Sequence, residues 1–310
     1  MCGLAGVVLK QKERTQKELD QITSAFSRML QEADTRGGHA TGFAIVDKQG
    51  DYLICKRDKD ASEFLEDIDV IDNLDLTYSD VTCLMGHTRY STLGSPKINK
   101  NNHPIRTGNT IGTHNGSIHN HKELFSKYSM KRHAQVDSEA IFRLYETSKD
   151  VNDFADNRLP NVRGRVAIVW ADLEYPEYVY AVKANNPLEL VYIKELEIYA
   201  YGSTLEIIKA GFKNYTKRYN VDANRMLRIN TKTFRIRVKK ISIKKPKPIS
   251  NSFYNSKIGA YETKSKSIYS HTVSRFVPRY SYSESRQQNL FKKYKAVDGS
   301  TIKKIIQGEK

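Results

Sequence analysis

The chain has 310 residues, a formal net charge of +16 at pH 7, 39% apolar residues and a mean hydropathy of −0.61. This apolar fraction is sufficient for a packed core, and no stretch approaches the roughly 18 apolar residues of a membrane-spanning helix. The opening apolar run lacks the basic flank and the length of a secretory signal peptide. We therefore expect a cytoplasmic protein that does not bind membranes.

The positive charge is concentrated near the end of the chain. Residues 241–310 contain 15 lysines and arginines against 4 acidic residues. This segment is also rich in Ser and Tyr, and it cannot bury enough apolar surface to order by itself. The composition predicts a folded domain over residues 1–242 and a basic, largely disordered tail over residues 243–310, with a short helix at 299–307.

Cysteine and histidine spacing gives no support for a disulfide framework or a metal site. The three cysteines, Cys2, Cys55 and Cys83, form no C-x-x-C pair and leave an odd count, which favours a reducing compartment. Six of the eight histidines lie between positions 87 and 133, including the pair His119 and His121. No second pair with carboxylate or thiolate support accompanies them. We expect neither a metal nor a cofactor.

Apolar periodicity predicts two groups of strands with helices between and beside them. The predicted strands are residues 4–9, 43–46, 52–56, 81–85, 110–114, 166–170, 178–182, 188–193, 198–201 and a hairpin over 226–238. The predicted helices are residues 19–33, 120–128, 137–148 and 204–210. This order indicates an α+β fold in which two stacked antiparallel sheets lie between helical layers.

Cys2 is the first candidate for chemistry. It follows Met1, which is removable, and after that removal the thiol and the α-amine would belong to the same residue. An amine with a pKa near 8 accepts a proton from a thiol with a pKa of about 8.5, so the residue carries a nucleophile together with its base. The alternative is a cysteine that serves only as a small apolar side chain.

Six polar clusters follow one another along the chain. They are Cys2-Gly3, Arg36-Gly37-x-x-Ala40-Thr41-Gly42, Gly86-His87-Thr88-Arg89-x-x-Thr92, His103-Pro104, His114-Asn115-Gly116-x-Ile118-x-Asn120 and Asp137-Ser138-Glu139. In this order, over residues 2–240, the series resembles the class II glutamine amidotransferase domain, an N-terminal-nucleophile (Ntn) hydrolase. The resemblance implies a four-layer αββα sandwich of the Ntn-hydrolase type.

The resemblance also implies the catalytic groups. Cys2 would attack the side-chain carboxamide of glutamine, forming a γ-glutamyl thioester and ammonia, and water would then release glutamate. Asn115 and the backbone N–H of Gly116 would stabilise the oxyanion of the tetrahedral intermediate. Considered without the family, Asn115-Gly116 is a dipeptide typical of a tight hairpin turn.

Three further residues match the family's substrate-binding positions. Arg89 would bind the α-carboxylate of glutamine through two parallel hydrogen bonds, Asp137 would bind the α-ammonium, and Thr92 would assist. The alternatives are that Arg89 is a solvated charge at the end of a strand and that Asp137 is a helix cap.

The remaining positions are supporting residues or departures from the family. By resemblance, Arg36 holds the N-terminal loop, while His103 and Asn120 support the site. The family usually has an acidic residue at the position of His39 and often a histidine at that of Leu93. With His39 in place of the acidic residue, the charge behind Cys2 would differ from that of the family. With Leu93 in place of the histidine, the contacts to the substrate would differ as well.

The resemblance implies a partner, because such domains ordinarily pass ammonia to a synthase. About 70 residues follow the domain, too few for a synthase, so we expect a separate synthase or a free-standing glutaminase. Alternatives are hydrolysis of another amide or γ-glutamyl compound, or a catalytically silent adaptor.

The tail alternates aromatic and basic residues, a pattern typical of nucleic-acid binding. A disordered solubilising tail or a docking arm for an acidic protein is an equal alternative.

Overall fold

The computed structural model describes residues 1–76 and 80–244. Within them, thirteen strands are connected by helices and turns. The strands are β1 Gly3–Leu9, β2 Ala40–Asp47, β3 Tyr52–Arg57, β4 Val81–Arg89, β5 Ile105–Thr107, β6 Thr110–Ile118, β7 Gly164–Asp172, β8 Tyr178–Lys183, β9 Glu189–Ile193, β10 Ile198–Gly202, β11 Lys217–Tyr219, β12 Arg225–Asn230 and β13 Ile236–Lys240. The helices are α1 Gln16–Ala33, α2 Ala61–Glu66, α3 Ile68–Leu74, α4 His121–Lys127, α5 Glu139–Glu146, α6 Val151–Asp153 and α7 Leu205–Gly211.

The strands form two antiparallel sheets. The first has the order β11-β9-β10-β1-β4-β2-β3, and the second has the order β13-β12-β8-β7-β6-β5. One apolar core lies between the first sheet and α1, α2, α3 and α7, a second lies between the other sheet and α4, α5 and α6, and a third fills the space between the sheets. The predicted α+β fold and its four-layer αββα arrangement are confirmed.

Helix α1 shows how local sequence produces the outer layer. Thr15 and Glu18 form a capping box, and apolar side chains at spacings of three and four lie on its buried face. Phe26 from this face packs on β4 at Gly86, where an added Cβ would lie 2.8 Å from the ring. A side chain at position 86 would therefore push the helix away from the sheet.

Alternation along the strands decides which residues lie between the two sheets. On β1, Leu4 and Val8 belong to the core between the sheets, whereas Val7 belongs to the core beneath α1. Because successive residues of a strand point to opposite faces, the same rule directs Arg89 of β4 and Asn115 of β6 into the space between the sheets. The end of this space beside Cys2 is where the candidate site lies.

Two predicted strand ends are wrong. The strand expected to end at residue 85 continues through Arg89, where it still pairs with Ala40 of β2. The strand expected to end at residue 114 continues to Ile118, which pairs with Gly164 of β7. Asn115-Gly116 is therefore part of a strand and not a hairpin turn. Long-range ladder pairing extends both strands beyond their local apolar pattern.

The prediction omitted several short elements, namely β5, β11, α2, α3 and the segment that begins with α6. That segment continues as a π-helix, Phe154–Arg158, and a 3-10 helix, Leu159–Asn161. At the end of the described chain, Ile241 and Ile243 are buried in the core under α4 and α5, and the N–H of Lys244 donates to Val162. The expected helix at 299–307 and residues 245–310 of the tail lie outside the described residues.

Among residues 1–76 and 80–244, no helix combines the length and the apolar content needed to cross a bilayer.

Candidate active site

Cys2 lies directly before β1, and three other segments converge on it. Its Sγ accepts a hydrogen bond from the Tyr90 N–H at 3.2 Å and lies 3.6 Å from the Tyr90 carbonyl oxygen. Its own carbonyl oxygen accepts from Arg36 Nε at 3.1 Å and from Asn115 Nδ2 at 2.7 Å. The ends of both sheets and the loop after α1 therefore meet at this residue.

The electrostatic surroundings of the Cys2 thiol differ from those of the other two cysteines. Burial raises its pKa, while the Tyr90 N–H, the amino terminus and the Arg89 cation oppose that rise and Asp137 adds to it. Burial raises the pKa of Cys55 to about 11 and raises that of Cys83 as well. Cys2 thus lies within electrostatic range of both Arg89 and Asp137, and its thiol needs a base to become a nucleophile.

Arg89 is buried at the end of β4, with 4% of its surface exposed. Its Nη1 donates to Asn102 Oδ1 at 2.9 Å, and its Nη2 donates to the carbonyl oxygens of Leu93 and Gly94 at 2.6 and 2.8 Å. Burial lowers the pKa of Arg89, and the charges of Cys2 and Asp137 oppose that change. The alternative of a solvated strand-end charge is therefore wrong.

Asn115 joins the second sheet to the first. Its Nδ2 donates to the Cys2 carbonyl and, at 2.7 Å, to Ser203 Oγ. Ser203 Oγ in turn accepts from the Leu4 N–H at 2.8 Å. The side-chain amide is thus held beside Cys2 by two hydrogen bonds.

Gly116 has a φ of +140°, a conformation that side-chain-bearing residues rarely adopt. A Cβ at this position would lie 1.9 Å from the Arg165 carbonyl oxygen. The strand can therefore take this shape next to Asn115 only with glycine at position 116.

The Asp137 carboxylate points to the end of β6 and does not cap α5. Its Oδ2 accepts from the Ile118 N–H at 2.5 Å, and α5 has no side-chain cap at Ser138. The helix-cap alternative is therefore wrong. The half-buried carboxylate supplies a negative charge within electrostatic range of Cys2 and Arg89.

Part of the chain matches a known family model. Residues 87–210 match the family model described as glutamine amidotransferase domain. Over these residues the chain is similar to a glutamine amidotransferase domain. The match begins at His87, so the assignment of Cys2 within this domain depends on the geometry above.

Curated relatives of the amidotransferase domain are longer proteins. The chain is 26% identical over 199 residues to the isomerizing glutamine–fructose-6-phosphate aminotransferase of Haemophilus influenzae, covering 61% of this chain and 29% of that protein. It is 26% identical over 215 residues to the 7-cyano-7-deazaguanine synthase of Saccharolobus solfataricus, covering 68% and 44%. The chain therefore spans less than half the length of these relatives.

Solved structures share the fold of the amidotransferase domain. Glutamine phosphoribosylpyrophosphate amidotransferase from B. subtilis superposes with a TM-score of 0.58 at 20% identity, covering 78% of this chain and 49% of that chain. A glutamine aminotransferase class-II domain protein from Silicibacter pomeroyi superposes with a TM-score of 0.50 at 15% identity, covering 78% and 99%. At these identities the likeness establishes a shared fold alone.

The remaining predicted residues are Thr92, His103 and Asn120, and they differ in burial and in contacts. Thr92 is exposed on the loop between Arg89 and Gly94. His103 is buried, and the peptide bond between His103 and Pro104 is cis. Asn120 donates to the Asn161 carbonyl and accepts from the Arg163 N–H, so it connects the start of α4 to the segment before β7.

Sequence reasoning missed three groups that shape the site. The Tyr90 backbone N–H contacts the nucleophile, Asn102 contacts Arg89, and Ser203 contacts Asn115. Ser203 ends the segment Ala200-Tyr201-Gly202-Ser203, which also resembles the family and was a usable signal for its importance. Tyr90 contributes through its backbone, so its residue type carried no such signal.

Three buried histidines lie behind the site: His87, His103 and His114. The rings of His87 and His103 stack at 4.2 Å, and His87 Nε2 is 3.2 Å from the His114 carbonyl. Burial lowers the pKa of His87 to about 3 and also lowers those of the other two, so all three are neutral. Over residues 1–76 and 80–244, no group of three or more His, Cys, Asp or Glu side chains is arranged to hold a metal.

Proposed function

We propose that the protein hydrolyses the side-chain amide of glutamine through Cys2 and releases ammonia. The observation that carries this proposal is the convergence of Arg36, Tyr90 and Asn115 on Cys2, with Arg89 and Asp137 in electrostatic range. A cation and an anion thus act electrostatically on one thiol, and a side-chain amide binds the carbonyl oxygen of the same residue. These are the groups needed for the two charged ends and the reacting carboxamide of glutamine.

The first step needs a free amino terminus. Met1 is 76% exposed, so it is accessible for removal, which would leave the α-amine on Cys2. The amine accepts the thiol proton, and Sγ attacks the carboxamide carbon to form a tetrahedral intermediate. Collapse of this intermediate breaks the C–N bond and releases ammonia, with a proton returned from the amine. Water then cleaves the thioester to give glutamate and the free thiol.

The oxyanion of the intermediate would be stabilised by Asn115 and by the Gly116 N–H. The two hydrogens of Asn115 Nδ2 bond to the Cys2 carbonyl and to Ser203 Oγ. One of these bonds therefore has to be exchanged for the oxyanion. Because the amide already lies 2.7 Å from the Cys2 carbonyl, the exchange requires little movement.

Arg89 and Asp137 would bind the α-groups of glutamine. Arg89 is oriented by Asn102, and Asp137 is oriented by the Ile118 N–H. The α-carboxylate would share Arg89 with the Leu93 and Gly94 carbonyls or displace them. Thr92 lies on the same loop and would assist.

We further propose that the ammonia passes to a separate synthase. Relatives of the domain are named as an aminotransferase acting with glutamine and fructose 6-phosphate and as a 7-cyano-7-deazaguanine synthase, and this chain matches less than half of each. The reducing cytoplasm remains our expectation for its location. Co-purification of the full chain with an ammonia-consuming enzyme would support the proposal.

The experiment is glutamate release from glutamine by the full chain, with loss of Met1 checked by mass spectrometry. Wild type should release glutamate, and Cys2→Ala should release none. A glutamine-mimicking diazo-ketone should label Cys2 and spare Cys55 and Cys83, because both are buried with raised pKa values. No release and no labelling, with and without ammonia acceptors, would favour the silent adaptor.

One observation favours a second candidate, hydrolysis of another amide or γ-glutamyl compound. An open cavity of about 590 Å³ lies beside the exposed Leu93; its lining is Leu93, Gly94, Arg132, His133, Ala134 and Gln135. Leu93 and Gly94 provide the carbonyls that contact Arg89, so this space adjoins the α-carboxylate end of the proposed glutamine site. A glutaminyl peptide hydrolysed faster than glutamine would establish this candidate.

The tail remains a separate proposal: that residues 243–310 bind nucleic acid. The support is their alternation of aromatic and basic residues. Filter binding of the full chain and of a chain ending at residue 244 to RNA and DNA would test it across a salt series. Affinity that falls with salt and requires the tail would agree with phosphate contacts, whereas affinity indifferent to salt would exclude them.

A further inference from the structure

Tyr90, whose backbone contacts the Cys2 sulfur, and its two chain neighbours are held by His39. The His39 N–H donates to the Arg89 carbonyl oxygen at 3.0 Å. The Ser91 N–H donates to His39 Nδ1, also at 3.0 Å. The imidazole stacks on the Tyr90 ring with a centroid distance of 4.9 Å and an interplanar angle of 27°. His39 therefore contacts each residue of the turn 89–91.

The loop before His39 also packs directly against this turn. An added Cβ on Gly37 would lie 2.6 Å from the Tyr90 nitrogen and 2.7 Å from the Arg89 carbonyl carbon. Backbone of the 37–39 loop thus lies in contact with the Arg89–Tyr90 peptide bond. The orientation of this peptide bond depends on the loop.

The same peptide bond carries the N–H that stabilises the nucleophile. Tyr90 donates this N–H to Cys2 Sγ at 3.2 Å, and the bond lowers the thiol pKa against the effect of burial. A hydrogen bond to the ionised form favours the thiolate, and it does so only while its direction is maintained. A change in the 89–91 turn therefore changes the thiol.

We infer that His39 is a positioning residue for the Cys2 nucleophile, an inference that rests on the proposed function. A backbone N–H can only donate, so Nδ1 must be an unprotonated acceptor for Ser91. By accepting from Ser91 and donating to Arg89, His39 holds the Tyr90 N–H on the sulfur from both sides. His39 does not touch the thiol itself.

Three substitutions separate the effect of the stacked ring of His39 from that of its hydrogen-bond acceptor, Nδ1. His39→Ala removes both the stacked ring and the acceptor, His39→Phe keeps only the ring, and His39→Asn keeps an acceptor near the position of Nδ1. His119→Ala is the matched control, because His119 is an exposed histidine that contacts Ser117 and Arg163 and not the 89–91 turn.

The primary measurement is the rate of iodoacetamide alkylation of Cys2 across pH, read from the mass of the N-terminal peptide. His39→Ala and His39→Phe should react about tenfold more slowly than wild type at neutral pH, because a hydrogen bond to a charged group is lost. His39→Asn and His119→Ala should react like wild type. Equal alkylation rates for all variants, or a rate for His39→Asn as slow as that of His39→Ala, would overturn the inference.

Glutamate release by the same proteins distinguishes this inference from the proposed function. The Ala and Phe variants should lose kcat by a similar factor, with KM nearly unchanged and thermal unfolding like that of wild type. If the alkylation rates of wild type and the variants follow the predicted order but wild type releases no glutamate, the proposed function is refuted and the positioning role of His39 stands. If wild type releases glutamate and His39→Phe has the same alkylation rate and the same kcat as wild type, the positioning role alone is refuted.

Discussion

The two sheets contribute to the site in different ways. The first sheet supplies the Cys2 thiol and the Arg89 cation, and these are held by loops of the same half of the molecule through Arg36, Tyr90 and Leu93. The second sheet contributes backbone shape and one side-chain amide, which reaches across to Cys2. The difference indicates that reactivity depends on loops of the first half, whereas geometry depends on how the second sheet packs.

Removing the amide that connects the sheets should have the largest effect. We expect Asn115→Ala to lower kcat about 10²- to 10³-fold, because an oxyanion donor and the bond to Cys2 are lost together. Steady-state glutamate release measures this. Asn109→Ala is the control, since its amide contacts Glu174 on the surface. A fall of less than threefold for Asn115→Ala would mean that the second sheet does not supply the oxyanion donor.

Gly116→Ala should disturb the second sheet alone. The positive φ and the 1.9 Å approach to the Arg165 carbonyl predict a loss of about 2 kcal/mol or more in the free energy of unfolding. Chemical denaturation measures the loss. Gly38→Ala on the first half is the matched control, because its Cβ would have no neighbour closer than 3.5 Å. Equal stability of the two variants would contradict the backbone argument.

Asp137→Asn tests the charge that the second half provides. The amide oxygen still accepts from the Ile118 N–H, so the fold should persist while the negative charge is lost. We expect KM for glutamine to rise about tenfold with little change in kcat. Cys2 alkylation should become faster, since Asp137 raises the thiol pKa. Asp222→Asn, at a surface ion pair with Arg225, is the control for the change in net charge. An unchanged KM for Asp137→Asn would exclude binding of the α-ammonium by Asp137.

The histidines between and behind the sheets should make stability depend on pH. His87, His103 and His114 are neutral in the folded state because burial lowers their pKa values, that of His87 to about 3. In the unfolded chain they bind protons below about pH 6.5, so stability falls as pH falls from 6.5 towards 3. Each histidine contributes up to about 1.4 kcal/mol per pH unit between about pH 6.5 and its own lowered pKa.

Urea unfolding at pH 7, 6 and 5 measures this dependence, and His87→Gln should reduce its slope. His87 connects the first sheet to the second through the His114 carbonyl, so the variant also reports on the contact between the sheets. A free energy of unfolding that stays constant from pH 7 to pH 5 would contradict the neutral histidines.

Local periodicity was enough to predict most of the elements. The buried face of α1 and its capping box are encoded within the 19 residues from Thr15 to Ala33, and the β2–β3 hairpin follows from a polar turn between two apolar strands. The α+β fold followed from the order of these elements. The motif series also identified Cys2, Arg89, Asn115 and Asp137, which the structure brings together, although their roles remain proposals.

What the amino-acid sequence determined by itself was therefore the set of elements, the fold class and the chemical types available at the strand ends. Tertiary structure alone decided that β4 continues through Arg89, that Asp137 faces β6 instead of its own helix, and that His39 holds the Tyr90 N–H on the sulfur. The physical reason is sequence separation: Asn115 and Cys2 are 113 residues apart, and Ser203 and Leu4 are 199 residues apart. The first of these hydrogen bonds exists only after the two sheets have packed, and the second only after β1 and β10 have paired.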